Sequence, residues 1–232
     1  MRKVMIVAPH PDDAELAMGG TIVKMLEADW EVVVIDLTDG EPTPYGSKQI
    51  RQKETQKANQ ILGIKNRICL KMPNRYLQAT LENRRKLAEA IRLWQPDLLF
   101  APVMPDHHPD HTEAAKLIAG ARFEARFHKT SMKGQPHCVG HQYYYYSSQR
   151  SQYNKPSFIV DITDCWHKKL AAIKAYQSQT RNRPAATAVS ILEQTEVVCR
   201  YFGQCIGAGY GEPFVASEPI GIRKVDFLTD TC

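Results

Sequence analysis

Two short segments of this chain concentrate groups that bind cations and move protons. The first is Ala8-Pro9-His10-Pro11-Asp12-Asp13-Ala14-Glu15, which holds one imidazole and three carboxylates within six residues. The second is Asp106-His107-His108-Pro109-Asp110-His111, where three of the eight histidines fall within five residues. A helix cap needs one Asp, not such a set. A dinucleotide site needs Gly-x-Gly-x-x-Gly in the turn, and Gly19 and Gly20 come too late for it. Adjacent carboxylates repel a phosphate and suit a cation. Neutral imidazole is the commonest protein ligand of zinc. His108 and His111, three apart, can face one point across a helical turn. Together the segments offer His10, Asp13 and His111 as three ligands, the number a catalytic zinc site uses while leaving a position for water. The same set describes a two-His-one-carboxylate iron site, and spacing alone does not separate the two metals.

The elements that position these segments alternate. Val4–Ala8, Glu31–Leu37, Arg67–Lys71 and Leu98–Ala101 read as strands. Leu16–Ala28, Lys48–Leu62, Leu81–Trp94 and His111–Phe127 read as helices between and after them. Strands alternating with helices of this length predict an α/β, Rossmann-like fold with a mainly parallel sheet and helices on both faces. The two reactive segments follow strands one and four, which flank the switch point where such sheets bind ligands. After about residue 131 the rhythm changes. Gln142–Tyr146 and Phe158–Ile162 read as strands, the tyrosine run having one buried face. Cys165–Gln177 and Ala186–Phe202 read as helices, and Gly207–Pro219 as a loop. Trp30, Trp94 and Trp166 are expected to pack against the sheet.

The 232 residues suit one domain with one sizeable core. Hydrophobic residues at 43% and charged residues at 24% exclude a mainly disordered chain. The longest apolar stretches, such as Leu98–Val103, are far too short to span a bilayer, and no secretory signal is visible. The net charge of +5 is scattered, with Arg84-Arg85-Lys86 the densest run, which argues against nucleic acid as a partner. Six cysteines without a C-x-x-C pair read as reduced thiols of a cytoplasmic protein.

His10-Pro11-Asp12-Asp13-x-Glu15 and His108-Pro109-Asp110-His111 resemble the two motifs of the PIG-L/LmbE-like zinc-dependent N-deacetylases. The similarity extends over Gly19-Gly20-Thr21, Arg51-x-x-Glu54, Ile61-Leu62-Gly63, Phe158-x-Val160-Asp161-Ile162, Ser178-Gln179 and Tyr210-Gly211-Glu212-x-Phe214. The combination is most similar to the bacillithiol-pathway branch, which removes acetate from N-acetylglucosaminyl-malate. The resemblance implies that His10, Asp13 and His111 hold a metal, zinc or in vivo Fe2+. It implies Asp12 as general base and His108 as a cationic or hydrogen-bonding stabiliser oriented by Asp110. It implies Arg51 and Tyr210 as substrate contacts, a small amino-sugar conjugate as substrate, and a trimer or hexamer as assembly. The loop Thr38–Ser47 and the segment Met72–Arg75, with Asn74 where relatives often have Asp, depart from the pattern and are expected to line the substrate mouth.

Alternatives stand beside these roles. Arg51 and Glu54 could be only a surface i, i+3 pair. Glu15 could support the site from behind or serve as a helix N-terminal charge. His107 reads as a loop residue. His128, His137, His141 and His167 read as surface or structural. A deacetylase of a different amino-sugar conjugate and a catalytically silent metal or sugar-binding module are the competing functions. The presence of both Asp12 and His108 beside a complete ligand set speaks against the silent module.

Overall fold

The computed structural model describes residues 1–147, 155–180 and 189–221. One sheet runs through them. It consists of β1 (Lys3–Ala8), β2 (Glu31–Thr38), β3 (Asn66–Met72), β4 (Leu98–Pro102), β5 (His141–Tyr145), β6 (Phe158–Asp161) and β7 (Gly211–Ala216). The spatial order is β3-β2-β1-β4-β5-β7-β6. Strands β1 to β5 are parallel, and β7 lies antiparallel between β5 and β6. The helices are α1 (Asp13–Glu27), α2 (Lys48–Leu62), α3 (Leu81–Trp94), α4 (Pro109–Glu124), α5 (Trp166–Ala175), α6 (Gln177–Thr180) and α7 (Ile191–Gln204).

Both faces of the sheet are covered, so β1 is apolar without a break. Val4, Ile6 and Ala8 join one core layer with Met18 and Ile22 of α1, Ala58 and Leu62 of α2 and Ala172 of α5. Met5 and Val7 join the other with Leu87 and Ile91 of α3 and Leu117 and Ile118 of α4. Adjacent β1 and β4 therefore send their chains to opposite faces, α1 to one and α4 to the other. That divergence opens a crevice at the carboxyl ends of the two strands, where residues 8–15 and 106–111 meet.

Helix α1 is two pieces joined at Met18, whose φ of −143° and ψ of 27° are not helical. The kink frees backbone amides. Gly20 and Thr21 donate theirs to the carboxylate of Glu212 in β7, at 2.9 and 2.7 Å. Lys169 Nζ, fully buried, donates to that carboxylate at 2.6 Å and to the Leu16 carbonyl at 2.8 Å. A Cβ on Gly20 would stand 2.6 Å from Ile162, which is why only glycine fits there. Two sequence motifs thus complete one another, and the first piece of α1 is fixed in direction.

Three expectations are corrected. Residues 211–216 form β7 rather than a loop. Gly211 and Pro213 argue against a strand locally, but pairing with both β5 and β6 overrides propensity. Helix α7 begins at Ile191, with Ser190 and Glu193 closing a capping box; Ala186 lies outside the described residues. The tyrosine run packs on both faces, with Tyr143 and Tyr145 in one layer and Tyr144 in the other, because β5 is interior to the sheet. Trp30, Trp94 and Trp166 do pack on the two core layers.

Candidate metal and active site

Asp12 stands at the N-cap position of α1 with φ 123°, and its side chain makes no capping bond. A non-glycine residue in that region is strained, and Asp is among those that tolerate it. The carboxylate is not spent on the helix. It faces Arg51, whose Nη1 lies 3.3 Å away. At the other segment His108 is the N-cap of α4, with Pro109 following it. His108 Nδ1 accepts the backbone N–H of Asp110 at 3.2 Å.

Ligand atoms of His10, Asp13 and His111 all lie within 4.8 Å of one another. Asp13 Oδ2 is 3.2 Å from His10 Nδ1 and 3.3 Å from His111 Nε2. Each imidazole is held from behind by a second carboxylate. His10 Nε2 meets Asp110 Oδ2 at 3.0 Å, and His111 Nδ1 meets Asp106 Oδ2 at 3.1 Å. This carboxylate–histidine arrangement, repeated twice around one carboxylate ligand, has the chemistry of a site for a divalent transition metal. The residues fit such an ion.

The electrostatics agree. Burial pulls the His10 imidazole down, but bonds to Asp110 and Asp13 outweigh it and hold it at about 9. Burial likewise opposes the His111 cation, while Asp13 and Asp106 raise it to about 10. Asp13 is held well below the usual carboxylate range, because His111 and His10 overcome its burial. Burial pushes Asp12 up to about 7 against the pull of Arg51. His108 is lowered by burial and by the two neighbouring imidazoles. A neutral His108 that accepts at Nδ1 carries its proton on Nε2.

Asp110 departs from expectation. Its carboxylate bonds His10 and the backbone N–H groups of Arg75 (2.7 Å) and Leu77 (3.2 Å), rather than orienting His108. The tautomer of His108 is set by the Asp110 backbone instead. Arg51 and Glu54 are buried, not a surface pair. Arg51 donates to the Pro11 carbonyl at 2.6 Å and lies 3.4 Å from Glu41, while Glu54 accepts from the backbone and hydroxyl of Ser178. Glu15 is also buried. It pairs with Arg67 and accepts from Tyr176 Oη at 2.9 Å, and Arg67 forks onto Asp36. That network ties the start of α1 to β2 and β3.

A cleft of about 760 Å³ opens over these groups, within the range of small-molecule sites (about 300–1,000 Å³). His10, Asp12, Asp13, Arg51, His108 and His111 line it. Gly40, Pro42, Thr43, Pro44 and Tyr45, then Asn74 and Arg75, form part of its mouth, where the sequence placed them.

Residues 5–121 match the family described as PIG-L: GlcNAc-PI de-N-acetylase. The chain belongs to the PIG-L family. It is 30% identical to the diacetylchitobiose deacetylase of Thermococcus kodakarensis, over 77% of this chain and 70% of that one. It is 26% identical to the protein named probable N-acetyl-alpha-D-glucosaminyl L-malate deacetylase 2 of Bacillus anthracis, over 77% and 81%. The crystal structure of the conserved protein TT1542 from Thermus thermophilus superposes with TM-score 0.86 and 36% identity, covering 96% of this chain and 97% of that one.

Several site features of this PIG-L member escaped the sequence reading. Asp106 was part of the second segment but had no role, because its partner Nδ1 of His111 is fixed only by the fold. Ser147, beyond β5, adds a contact of 2.8 Å to the same nitrogen. Ile191, Gln194, Thr195 and Val198 of α7 line the cleft, and their i, i+3, i+4, i+7 spacing was the available signal. Tyr210 is placed elsewhere. Its ring stacks on Trp166 at 4.3 Å, its hydroxyl donates to Glu196, and it is not among the residues lining the cleft.

Proposed function

We propose that this chain hydrolyses the acetamide of an N-acetylglucosamine conjugate, with a divalent metal held by His10, Asp13 and His111. The observation that carries the reading is the convergence of those three ligands, with Asp12 beside them, at the floor of the cleft. Membership of a de-N-acetylase family supports it. Zinc is the metal proposed, and Fe2+ suits the same donors.

When bound, the metal supplies a Lewis acid that acidifies water and polarises the amide carbonyl. Asp12 is adjacent to the ligand Asp13 and lines the same cleft, where its carboxylate is spent on neither the helix nor the ligand set. Its carboxylate takes a proton from the attacking water and returns it to the leaving amine. An acid–base group near neutrality suits both transfers, and burial of Asp12 brings it there. Arg51 holds Asp12 in place from the far side. His108 Nε2–H donates to the oxyanion of the tetrahedral intermediate, a bond worth about 100- to 1,000-fold in rate.

For the aglycone we propose malate, following the sequence resemblance and the Bacillus anthracis relative. A neutral second sugar is the other reading, favoured by the higher identity to the diacetylchitobiose deacetylase. Free-amine release from N-acetylglucosaminyl-malate, diacetylchitobiose and N-acetylglucosamine decides between them. Release from the malate conjugate alone supports the first, and release from the disaccharide overturns it. The proposal includes a single-domain, cytoplasmic homo-oligomer whose partner is a small molecule. Among the described residues Cys69, Cys138, Cys165, Cys199 and Cys205 are free cysteines, and no described helix is long and apolar enough to cross a membrane.

Asp106→Asn tests the support behind the metal. An amide still fills the space but no longer balances the imidazole charge. Metal affinity should fall roughly 10- to 100-fold, measured by competition with a chromophoric chelator. Unchanged affinity would make Asp106 a packing residue only.

A further inference from the structure

We propose that Arg75 reads an anionic group, a carboxylate or a phosphate, on the aglycone of the substrate. The proposal rests on the deacetylase reading for the sugar half of the ligand, and adds the residue that selects the other half.

The cationic side chains lining the cleft are not equivalent. Lys169 is fully buried and committed to Glu212 and the Leu16 carbonyl. Arg51 is committed to the Pro11 carbonyl, Asp12 and Glu41. His108 belongs to the chemistry, and His107 lies 3.7 Å from Asp106. Arg75 lines the same cleft and is exposed, and its guanidinium has no acceptor among the described residues.

Its backbone is nevertheless held firmly. Arg75 has φ 67°, a left-handed conformation that an arginine seldom adopts. Asp110 fixes this conformation by accepting from the backbone N–H of Arg75 and of Leu77. The same Asp110 oxygen that takes the Arg75 amide also meets His10 Nε2. One carboxylate therefore registers the metal ligand and the Arg75 backbone against each other. An arginine placed in a strained backbone, tied to the metal centre and left without a partner is arranged for a ligand. Its planar fork matches a carboxylate or phosphate through two parallel bonds.

The test uses the metal-loaded full chain and its Arg75→Gln variant. Three compounds are compared by amine release and by calorimetric binding: N-acetylglucosaminyl-malate, N-acetylglucosamine 1-phosphate and neutral diacetylchitobiose. Loss of a charge-assisted bond should lower kcat/KM for an anionic conjugate roughly 10- to 100-fold. The loss should appear in KM and in binding, with little change in kcat. Diacetylchitobiose should respond by less than about twofold. Arg75→Lys should restore part of the loss, as a point charge without the fork. The malate and phosphate arms show which anion is read. Equal losses on charged and neutral compounds, or binding of neither anion, overturn the proposal. Amine release that is indifferent to Arg75 overturns it and leaves the deacetylase standing. Arg75-dependent binding of an anion without any amine release does the opposite.

Discussion

Asp12→Asn is expected to keep its metal and lose turnover by about 100- to 10,000-fold, the usual contribution of a positioned acid–base group. Asparagine is the informative replacement. It preserves the shape of the side chain, and it is among the few residues that tolerate the φ of 123° at this position. Arg51 keeps the Pro11 carbonyl and Glu41 as partners when the charge of Asp12 is removed, so the pocket wall should stand. Asp12→Ala removes the same group but adds backbone strain, and should show the same loss of rate with a lower melting temperature. The measurements are metal content by elemental analysis and amine release under single-turnover conditions. One equivalent of metal with near-normal turnover would sink the assignment of Asp12. Loss of metal together with activity would instead make Asp12 part of the metal-holding set.

Much of this site was legible in the sequence because its groups lie in two contiguous segments. His10 to Glu15 and Asp106 to His111 each follow a strand, and a parallel sheet brings the ends of strands one and four together. Local order within each segment was less legible. Asp12 and His108 both occupy helix N-caps, but Asp12 makes no capping bond while the His108 imidazole does, a difference that capping propensity does not carry. Which carboxylate serves which imidazole depends on the third dimension. Asp110 is two residues from His108, yet its carboxylate reaches His10, a hundred positions away. Tyr210 shows the converse limit. Its motif resembles the family's, but the residue that matters structurally there is Glu212, which caps the broken helix α1. A kink at Met18 has no sequence signal beyond the glycine pair that follows it. The strand β7 was invisible for a related reason, since only its neighbours supply the pairing that Gly211 and Pro213 disfavour.

Metal removal should have the largest effect of all, and should be coupled to protons. Without an ion, the imidazoles of His10 and His111 remain protonated near neutrality. They are held at about 9 and about 10 by the carboxylates of Asp13, Asp110 and Asp106, which outweigh burial. Two protons then stand where a divalent cation would place its charge. Ligation requires both rings to give up the proton facing Asp13. Metal uptake below about pH 9 should therefore release up to two protons, and affinity should fall as pH falls. Calorimetry in buffers of different ionisation enthalpy counts the protons. A flat affinity between about pH 6 and 8, with none released, would contradict the assignment of both rings as ligands. His111→Ala should be the severest single change at the site. Apparent structural-zinc affinities of about 10–16 kcal/mol, shared over four positions, give roughly 3 kcal/mol per ligand. That is more than about a hundredfold in metal affinity, and activity should vanish with it. The wild-type protein should also gain thermal stability from the ion, about 2.7 kcal/mol at a free concentration 100 times Kd, and the variant should gain almost none at the same concentration. A variant that still gained stability and still bound one equivalent tightly would show that the metal sits on the other cluster of potential ligands, His10, His108 and Asp110, and would move the water-activating position away from Asp12.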